Sequence, residues 1–327
     1  MIPRTRESSL TAVIPCFNEQ EVLPLLERRL FDALSSLSTD WEVIFVDDGS
    51  TDGTFAQLAA FHAREPRARV LRLSRNFGHQ TALWAGLHYA KGQVVAVLDA
   101  DLQDPPEVLS VCLDRWREGY DVIYAIREKR KEGLLRRFLY AGFYRLLKRV
   151  ADVNIPIDSG DFCVMDRRVV SVLRQMGERN VFVRGLRAWT GFRQIGIPYE
   201  RAARAAGDSK YSMGRLTKLA VDGIFSFSAF PLRLATWIGL AWVLIAFFSL
   251  LFVLAWRIVG FEFLGMVAGD VPGWASTVMV TLMIGGVQLF LMGMMGEYIG
   301  RIYEEVKLRP RWVVSEALGL EPSSGAE

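Results

Sequence analysis

Three acidic residues follow a short apolar segment and are the side chains of this chain best suited to bind a metal ion. Residues 94–106 read VVAVLDADLQDPP, in which Asp99, Asp101 and Asp104 come after a run of valine, alanine and leucine. Mg²⁺ and Mn²⁺ prefer oxygen ligands and commonly bind together with a substrate phosphate. An Asp-x-Asp pair also occurs in ordinary solvated turns, so the pattern alone leaves both interpretations open.

Polar residues follow three earlier apolar segments in the same way. They are Asn18 and Glu19 after residues 10–16, Asp47 and Asp48 after residues 42–46, and Asn76 after residues 69–73. A helical pattern follows each segment, so strand and helix alternate four times and predict an α/β fold with an open, mostly parallel sheet covered on both faces. Ligands of such sheets bind beyond the carboxyl ends of the strands, so we expect these polar groups to share one site.

Several other classes of protein are disfavoured by what the sequence lacks. No G-x-G-x-x-G follows the first strand and no G-x-x-x-x-G-K-[ST] occurs, which disfavours a dinucleotide-binding fold and a P-loop. A net charge of +3 over 327 residues gives no bulk electrostatic reason to bind nucleic acid. Cys16, Cys112 and Cys163 have no metal-ligand spacing, and we interpret them as packing residues in a reducing compartment.

The second half of the chain contains two long uncharged segments, residues 234–256 and 271–296. A helix over either segment could cross a hydrocarbon core of about 30 Å, so the sequence predicts two transmembrane helices. The residues that flank them are basic: Lys210, Arg215, Lys218 and Arg233 before, and Arg301, Lys307, Arg309 and Arg311 after. By the positive-inside rule both termini are cytoplasmic. MIPRTRESSL lacks an apolar core, so we expect no signal peptide.

Six motifs in a fixed order identify a resemblance to a known family. They are VIPCFNEQ, VDDGSTDGT, LSRNFGHQTALWAGL, VLDADLQDPP, DSGDF and RAAGDSKYSMGRL. With the two apolar segments, they resemble the family 2 glycosyltransferases that act on polyprenyl phosphate. That group comprises dolichol-phosphate mannose synthase-like enzymes and bacterial undecaprenyl-phosphate glucosyltransferases, and the bacterial enzymes are the more similar. The resemblance covers about residues 10–312.

The resemblance implies an architecture of four parts. Residues 1–210 would form a cytoplasmic GT-A-like catalytic domain with a mostly parallel open sheet. Residues 211–231 alternate basic and apolar positions, which is typical of an amphipathic helix in the membrane interface. Residues 232–298 would hold the two transmembrane helices, and residues 299–327 a cytoplasmic tail. The expected location is the inner (cytoplasmic) membrane, and the family leads us to expect a homo-oligomer.

The resemblance also implies an activity. The enzyme would transfer a sugar, with glucose as the default expectation, from a UDP-sugar to undecaprenyl or another polyprenyl phosphate. The reaction would invert the anomeric centre and depend on Mg²⁺ or Mn²⁺. Its product would be a lipid-linked sugar for modification of a cell-envelope glycan.

Roles for individual residues follow from the positions that match the family motifs. Nucleotide-sugar binding is expected of Pro15, Asn18, Glu19, Asp47, Asp48, Gly49, Ser50, Asn76, Gly78, Asp99 and Ala100. The metal ligands would be Asp101 and Gln103. Binding of the acceptor or of phosphate is expected of Arg127, Arg136, Arg137, Arg201, Arg204, Ser209 and Lys210. The basic stretch 127–149 could also bind anionic lipid headgroups, and the two roles are compatible.

The assignment of a catalytic base stays open at this point. Asp161 occupies the position of the base in bacterial members, Asp158 is near enough to compete, and Asp161 could instead orient the hydroxyls of the sugar. A phosphate acceptor is already anionic, which makes a base less critical than for a sugar hydroxyl. His79 and His88 have no carboxylate or cysteine at ligand spacing, so we interpret both as structural residues.

There are two alternative functions, one of an enzyme of the same superfamily and one of a non-catalytic protein. A processive polysaccharide synthase would carry Gln-x-x-Arg-Trp, whereas the nearest segment here, residues 184–189, reads RGLRAW. A non-catalytic membrane scaffold or sugar-nucleotide sensor would not need acids at every strand end. Both alternatives are therefore less favoured than transfer of a single sugar.

Overall fold

The computed structural model describes residues 4, 8–37, 40–127, 159–178, 181–199, 230–259 and 273–321. The chain divides into two compact units, Met1–Leu219 with Arg309–Glu327, and Ala220–Leu308. Several predictions fall outside the described residues. These are the interfacial helix up to residue 229 and the site residues Arg136, Arg137, Asp158, Arg201, Arg204, Ser209 and Lys210.

The first unit begins with the strand and helix alternation that the sequence predicts. Its strands are β1 (Leu10–Cys16), β2 (Trp41–Asp47), β3 (Ala68–Leu73), β4 (Val94–Val97), β5 (Val122–Arg127), β6 (Ser159–Asp166) and β7 (Gln194–Tyr199). Its helices are α1 (Leu23–Leu37), α2 (Thr54–Arg64), α3 (His79–Tyr89), α4 (Leu109–Arg117), α5 (Arg167–Gln175) and α6 (Val183–Trp189).

With an eighth strand, β8 (Val314–Leu318), these strands form an eight-stranded sheet of the described residues, in the order β7-β5-β6-β4-β1-β2-β3-β8. The central strands β4, β1, β2 and β3 are parallel to one another, whereas β6 runs antiparallel to both β4 and β5. The carboxyl ends of the parallel strands therefore lie at one edge, and β6 begins at that same edge. The predicted α/β fold with a mostly parallel sheet is confirmed.

Every residue of β1 is buried, which explains why helices cover both faces of the sheet. Ala12 and Ile14 pack into the core formed with α1, α2 and α4, whereas Val13 points to the opposite face and meets α3 at Gly86. Successive side chains of a strand point to opposite faces, so a strand that is apolar throughout needs cover on both sides. The sulfhydryl groups of the three cysteines are free and buried within this unit, as packing residues would be.

The eighth strand comes from the C-terminal part of the chain. β8 (Val314–Leu318) pairs antiparallel with β3 and places Glu316 opposite Arg72. This strand was not predicted, because residues 299–327 were expected to form a tail. Its sequence, VSEAL, is too short to give a clear periodic signal, and the strand is held by pairing with an edge strand that is distant in sequence.

The second unit contains two long helices, α7 (Phe230–Val259) and α8 (Gly273–Val306), which contact each other. They cover the predicted segment 234–256 and, from Gly273 onwards, the predicted segment 271–296. In the part of the chain that the structure describes, no helix combines the length and apolarity needed to cross a membrane. The predicted transmembrane hairpin is therefore not confirmed.

Gly86 provides a test of the close packing between α3 and the sheet. A methyl group added there would lie 2.4 Å from Cγ1 of Val13 and 3.0 Å from Cγ2 of Val46. We expect Gly86→Ala to lower the free energy of unfolding by about 1–3 kcal/mol, despite the better helix propensity of alanine. Thermal unfolding of the purified protein measures this. Gly177→Ala is the control, because a methyl group there meets nothing within 4 Å; equal stability of the two variants would contradict the packing.

Candidate active site

The loops that follow β1 and β2 are tied to each other by hydrogen bonds. Asn18 adopts a left-handed conformation (φ 53°), and its Oδ1 accepts a hydrogen bond of 2.9 Å from the Thr51 amide. Its own amide donates to Oγ of Ser50 at 3.0 Å, and the Glu19 amide donates to Oγ1 of Thr54 at 2.9 Å. Asparagine tolerates this backbone conformation better than most residues, which explains its place in the turn.

The two acids that follow each other at the end of β2 have different environments. Asp47 is fully buried, and its Oδ1 accepts a hydrogen bond from the Ser50 amide at 3.1 Å. Asp48 instead accepts hydrogen bonds from the amides of Phe77 and Gly78, at 2.7 and 2.9 Å. Burial raises the pKa of Asp48 against the effect of these two bonds. Through its two hydrogen bonds, Asp48 holds the loop that leads into α3.

Gly49 allows the loop between β3 and α3 to approach the turn that follows β2. Its φ of +66° is a conformation that residues with a side chain rarely adopt. A Cβ atom there would lie 2.4 Å from the carbonyl carbon of Arg75 and 2.7 Å from the nitrogen of Asn76. The predicted residues Gly49, Asn76 and Gly78 thus meet at one place, and α3 begins directly after Gly78.

The segment after β4 presents the acids on which the metal prediction rests. Leu102 is buried and has a φ of +56°, a strained value for a leucine, between Asp101 and Gln103. The Gln103 amide donates to Oδ1 of Asp101 at 3.1 Å, so the two residues share one tight turn. Ala100 is buried. Among the described residues, no group of three or more His, Cys, Asp or Glu side chains is arranged to hold a metal ion.

Strand register places Asp161 beside Asp99. Val97 of β4 pairs with Cys163 of antiparallel β6, so continuing the register by two residues sets Asp99 opposite Asp161. Both carboxylates face the same imidazole: Nε2 of His79 lies 3.6 Å from Oδ1 of Asp99 and 3.4 Å from Oδ2 of Asp161. The carboxyl edge of the sheet therefore brings together two acids that are far apart in sequence.

Asp161 is surrounded by donors from two helices. Nε of Arg184, on α6, lies 3.1 Å from Oδ1, and Nε2 of Gln80, on α3, donates to Oδ2 at 2.9 Å. Oε1 of Gln80 accepts a hydrogen bond from the Val183 amide at 3.0 Å, which joins the beginnings of the two helices. The carboxylate thus holds α3 and α6 together at the edge of the sheet.

Burial and the neighbouring charges together shift the pKa values of Asp99, Asp161 and His79. Burial raises the pKa of Asp99 to about 6, which the charge of His79 only partly offsets. Burial would also raise the pKa of Asp161, but the charges of Arg184 and His79 hold it well below the usual range. Burial would lower the pKa of His79, yet the two carboxylates outweigh it and raise this pKa to about 9. His79 and Asp161 are consequently both charged at neutral pH.

His79 was interpreted as structural because it has no carboxylate at ligand spacing, and the structure corrects this premise: Asp99 and Asp161 both lie beside its ring. No carboxylate stands near it in sequence, but the fold supplies two. The signal was present, because His79 and Gln80 follow the Asn76 loop at the same strand end as the predicted site residues. His88 differs: its Nδ1 lies 3.0 Å from the Trp84 carbonyl oxygen, and its ring packs on Trp312, as a structural histidine would.

Of the residues predicted to bind the acceptor, Arg127 lies within the described part of the chain. Arg127 is the last residue of β5 and pairs with Tyr199 of the parallel strand β7. Tyr199 is buried, and its hydroxyl donates to Oδ1 of Asp104, which is buried as well. Asp104, the third acid of the segment VLDADLQDPP, is therefore bonded to a buried tyrosine in the core.

Comparison with known proteins defines the class to which this site belongs. The family model for glycosyl transferase family 2 matches residues 11–174. An uncharacterized glycosyltransferase of Synechocystis is 43% identical over 313 residues, covering 95% of this chain and 96% of the relative. A prophage-derived bactoprenol glucosyl transferase of Shigella flexneri is 38% identical over 309 residues, covering 94% and 98%. A prophage bactoprenol glucosyl transferase homolog of Escherichia coli is 37% identical over 306 residues, covering 93% and 98%.

The chain belongs to glycosyl transferase family 2 and is a glycosyltransferase. The resemblance that the six motifs carry is therefore confirmed. The alternative of a non-catalytic scaffold is disfavoured for the same reason.

The charged pair of His79 and Asp161 should appear in the pH dependence of stability. The pKa of His79 rises from 6.5 to about 9 in the folded protein, so the folded state keeps a proton that the unfolded chain loses in this interval. The free energy of unfolding should therefore fall as the pH rises from about 6.5 to about 9. His79→Gln should show a smaller fall. Denaturant titrations at several pH values measure it.

His88→Gln is the matched control for this experiment. Burial lowers the pKa of His88, so its contribution to the pH dependence lies below 6.5. The His88 variant should keep the wild-type slope at alkaline pH. An unchanged slope in His79→Gln would contradict the ion pairing described here.

Proposed function

We propose that this enzyme transfers a single sugar, with glucose as the first expectation, from a UDP-sugar to a polyprenyl phosphate, with inversion at the anomeric carbon. The proposal is supported by relatives named bactoprenol glucosyl transferases, which match more than nine-tenths of the chain. The observation that carries it is the meeting of Asp47, Asp99, Asp101 and Asp161 at one edge of the sheet.

The donor nucleotide fits the end of β2. Oδ2 of Asp47 is fully buried and accepts no hydrogen bond from the described residues. A buried carboxylate oxygen in that state has a free acceptor site, and the ring N–H of a pyrimidine such as uracil is a suitable donor. Asn18, Glu19 and Ser50 would then border the ribose.

Asp101 and Gln103 are the residues that would hold the divalent ion. Their donor set consists of oxygens alone, which suits Mg²⁺ or Mn²⁺, and the turn at Leu102 keeps them adjacent. When bound, such an ion supplies Lewis-acid stabilisation of the departing diphosphate. Asp99 would lie on the nucleotide side of this pair, where Oδ1 is buried and accepts no hydrogen bond from the described residues.

We propose that Asp161 orients other groups and does not act as a base. A carboxylate whose pKa is held far below neutrality takes up a proton poorly, and an acceptor phosphate does not need one removed. Its contacts with Arg184, Gln80 and His79 instead fix two cations and an amide beside Asp99. These donors are suited to binding sugar hydroxyls and phosphate oxygens. Asp158 remains a candidate base outside the described residues.

The acceptor would reach the enzyme from the inner membrane, with the catalytic domain on the cytoplasmic side. Support comes from the second unit, where Trp237, Phe248 and Leu289 are among many large apolar side chains that are more than half exposed. Apolar surface of this extent is typical of membrane or protein contacts. Arg127 would bind phosphate together with the basic residues beyond the described segments. We further propose a homo-oligomer, which rests on the family resemblance.

A donor screen tests the proposed function. Purified full-length protein in detergent is incubated with undecaprenyl phosphate, Mn²⁺ and UDP- or GDP-sugars, and the lipids are examined by mass spectrometry. We expect one hexose per lipid from a UDP-sugar, loss of product with EDTA, and a loss of about a hundredfold or more in Asp101→Asn. The exposed Asp32→Asn serves as the control. A polymeric product would favour the processive synthase, and absence of product from every donor would contradict the proposal.

Asp161→Asn separates the two roles of this residue. Loss of a general base typically costs 10²–10⁴ in rate. Loss of an orienting carboxylate should give a smaller fall in kcat, about tenfold, of the same size as those of His79→Gln and Arg184→Met, and not additive with them. Single-turnover rates of the three variants and the Asp161/His79 double variant measure this. A loss near 10⁴ in Asp161→Asn alone would restore the role of base.

A further inference from the structure

Three charged residues form a row across the sheet, from the end of β2 to the C-terminal strand β8. Asp47 of β2 pairs in register with Arg72 of β3, and Arg72 pairs in register with Glu316 of β8. Side chains of residues that are opposite each other on neighbouring strands lie on the same face and interact directly. The row therefore alternates in charge, acid, base and acid, across three adjacent strands.

The distances within this row show a guanidinium shared between two carboxylates. Nε of Arg72 lies 3.5 Å from Oδ2 of Asp47, and its Nη1 lies 3.0 Å from Oε1 of Glu316. Burial decreases along the row: Asp47 is fully buried, whereas the side chain of Arg72 is 33% exposed and that of Glu316 is 49% exposed. Arg72 thus connects an internal carboxylate to one at the surface.

Two further contacts keep Arg72 in place. Its guanidinium lies over the ring of Phe55, 4.2 Å from the centroid, and its carbonyl oxygen accepts a hydrogen bond of 3.2 Å from Oγ of Ser315. The pairing register shifts between Arg72 and Leu73, which marks an irregularity at this point of the strand. β8 therefore holds both the backbone and the side chain of Arg72.

We infer that Arg72 is a positioning residue for donor binding: it orients Asp47 for the nucleobase, and β8 fixes it through Glu316. The inference rests on the proposed UDP-sugar donor. A cation beside a fully buried carboxylate offsets its negative charge and fixes the direction in which its oxygens point. The C-terminal segment thereby contributes to nucleotide affinity although it carries none of the predicted site residues.

Titration calorimetry with UDP on the full-length protein tests this inference without relying on turnover. We expect Arg72→Met to raise the Kd for UDP about tenfold, and Arg72→Lys to recover part of that loss by restoring the charge. Glu316→Gln, which removes an exposed partner, should raise Kd by about twofold to threefold. In the Asp47→Asn background the effect of Arg72→Met should fall below about twofold, because the two act through the same contact.

Arg64→Met is the matched control. Arg64 also pairs with a glutamate, Glu27 at 2.8 Å, and also lies over a phenylalanine ring, that of Phe61, at 5.2 Å. It should leave the Kd for UDP unchanged, and thermal unfolding confirms that each variant is folded. If wild-type protein binds UDP and Arg72→Met binds it equally well, the inference is overturned. If wild-type protein does not bind UDP, the proposed donor is wrong and the inference fails with it.

Discussion

Asp99 and Asp161 are two carboxylates that the sheet forces to the same place, and the rest of the site depends on how their charge is balanced. The pairing of β4 with β6 fixes their position, because a strand register cannot slip by one residue without turning its buried side chains outward. Two buried like charges repel each other strongly. The fold places the imidazole of His79 beside both of them and adds Arg184 on the far side of Asp161.

This balance gives the two acids different properties. Asp161, with donors on both oxygens, is ionised at neutral pH, whereas Asp99 has a buried oxygen that accepts no hydrogen bond from the described residues and a pKa of about 6. Asp161 thus holds α3 and α6 together, and we propose that Asp99 interacts with the bound donor. Environment, and not residue type, separates their roles.

The sequence allowed the fold of the first unit to be predicted, because its apolar segments and the polar residues after them are local features with a clear period. It also placed Asp47, Asp99 and Asp101 at one edge by a general property of parallel sheets. Contacts that depend on the order of strands in the sheet could not be predicted from local patterns. His79 meets Asp161 because β6 lies beside β4. In the same way Arg72 meets Glu316 because a short segment near the C-terminus adds an eighth strand.

A structure of the full-length protein bound to UDP and Mn²⁺, by crystallography or electron cryomicroscopy, would show whether the acids at the strand ends bind the donor. We expect the nucleobase against Asp47, the diphosphate and metal at Asp101 and Gln103, and Asp161 still held by Arg184 and His79. A nucleotide bound away from the carboxyl ends of β1, β2 and β4, or an Asp161 that releases both cations when the donor binds, would contradict it.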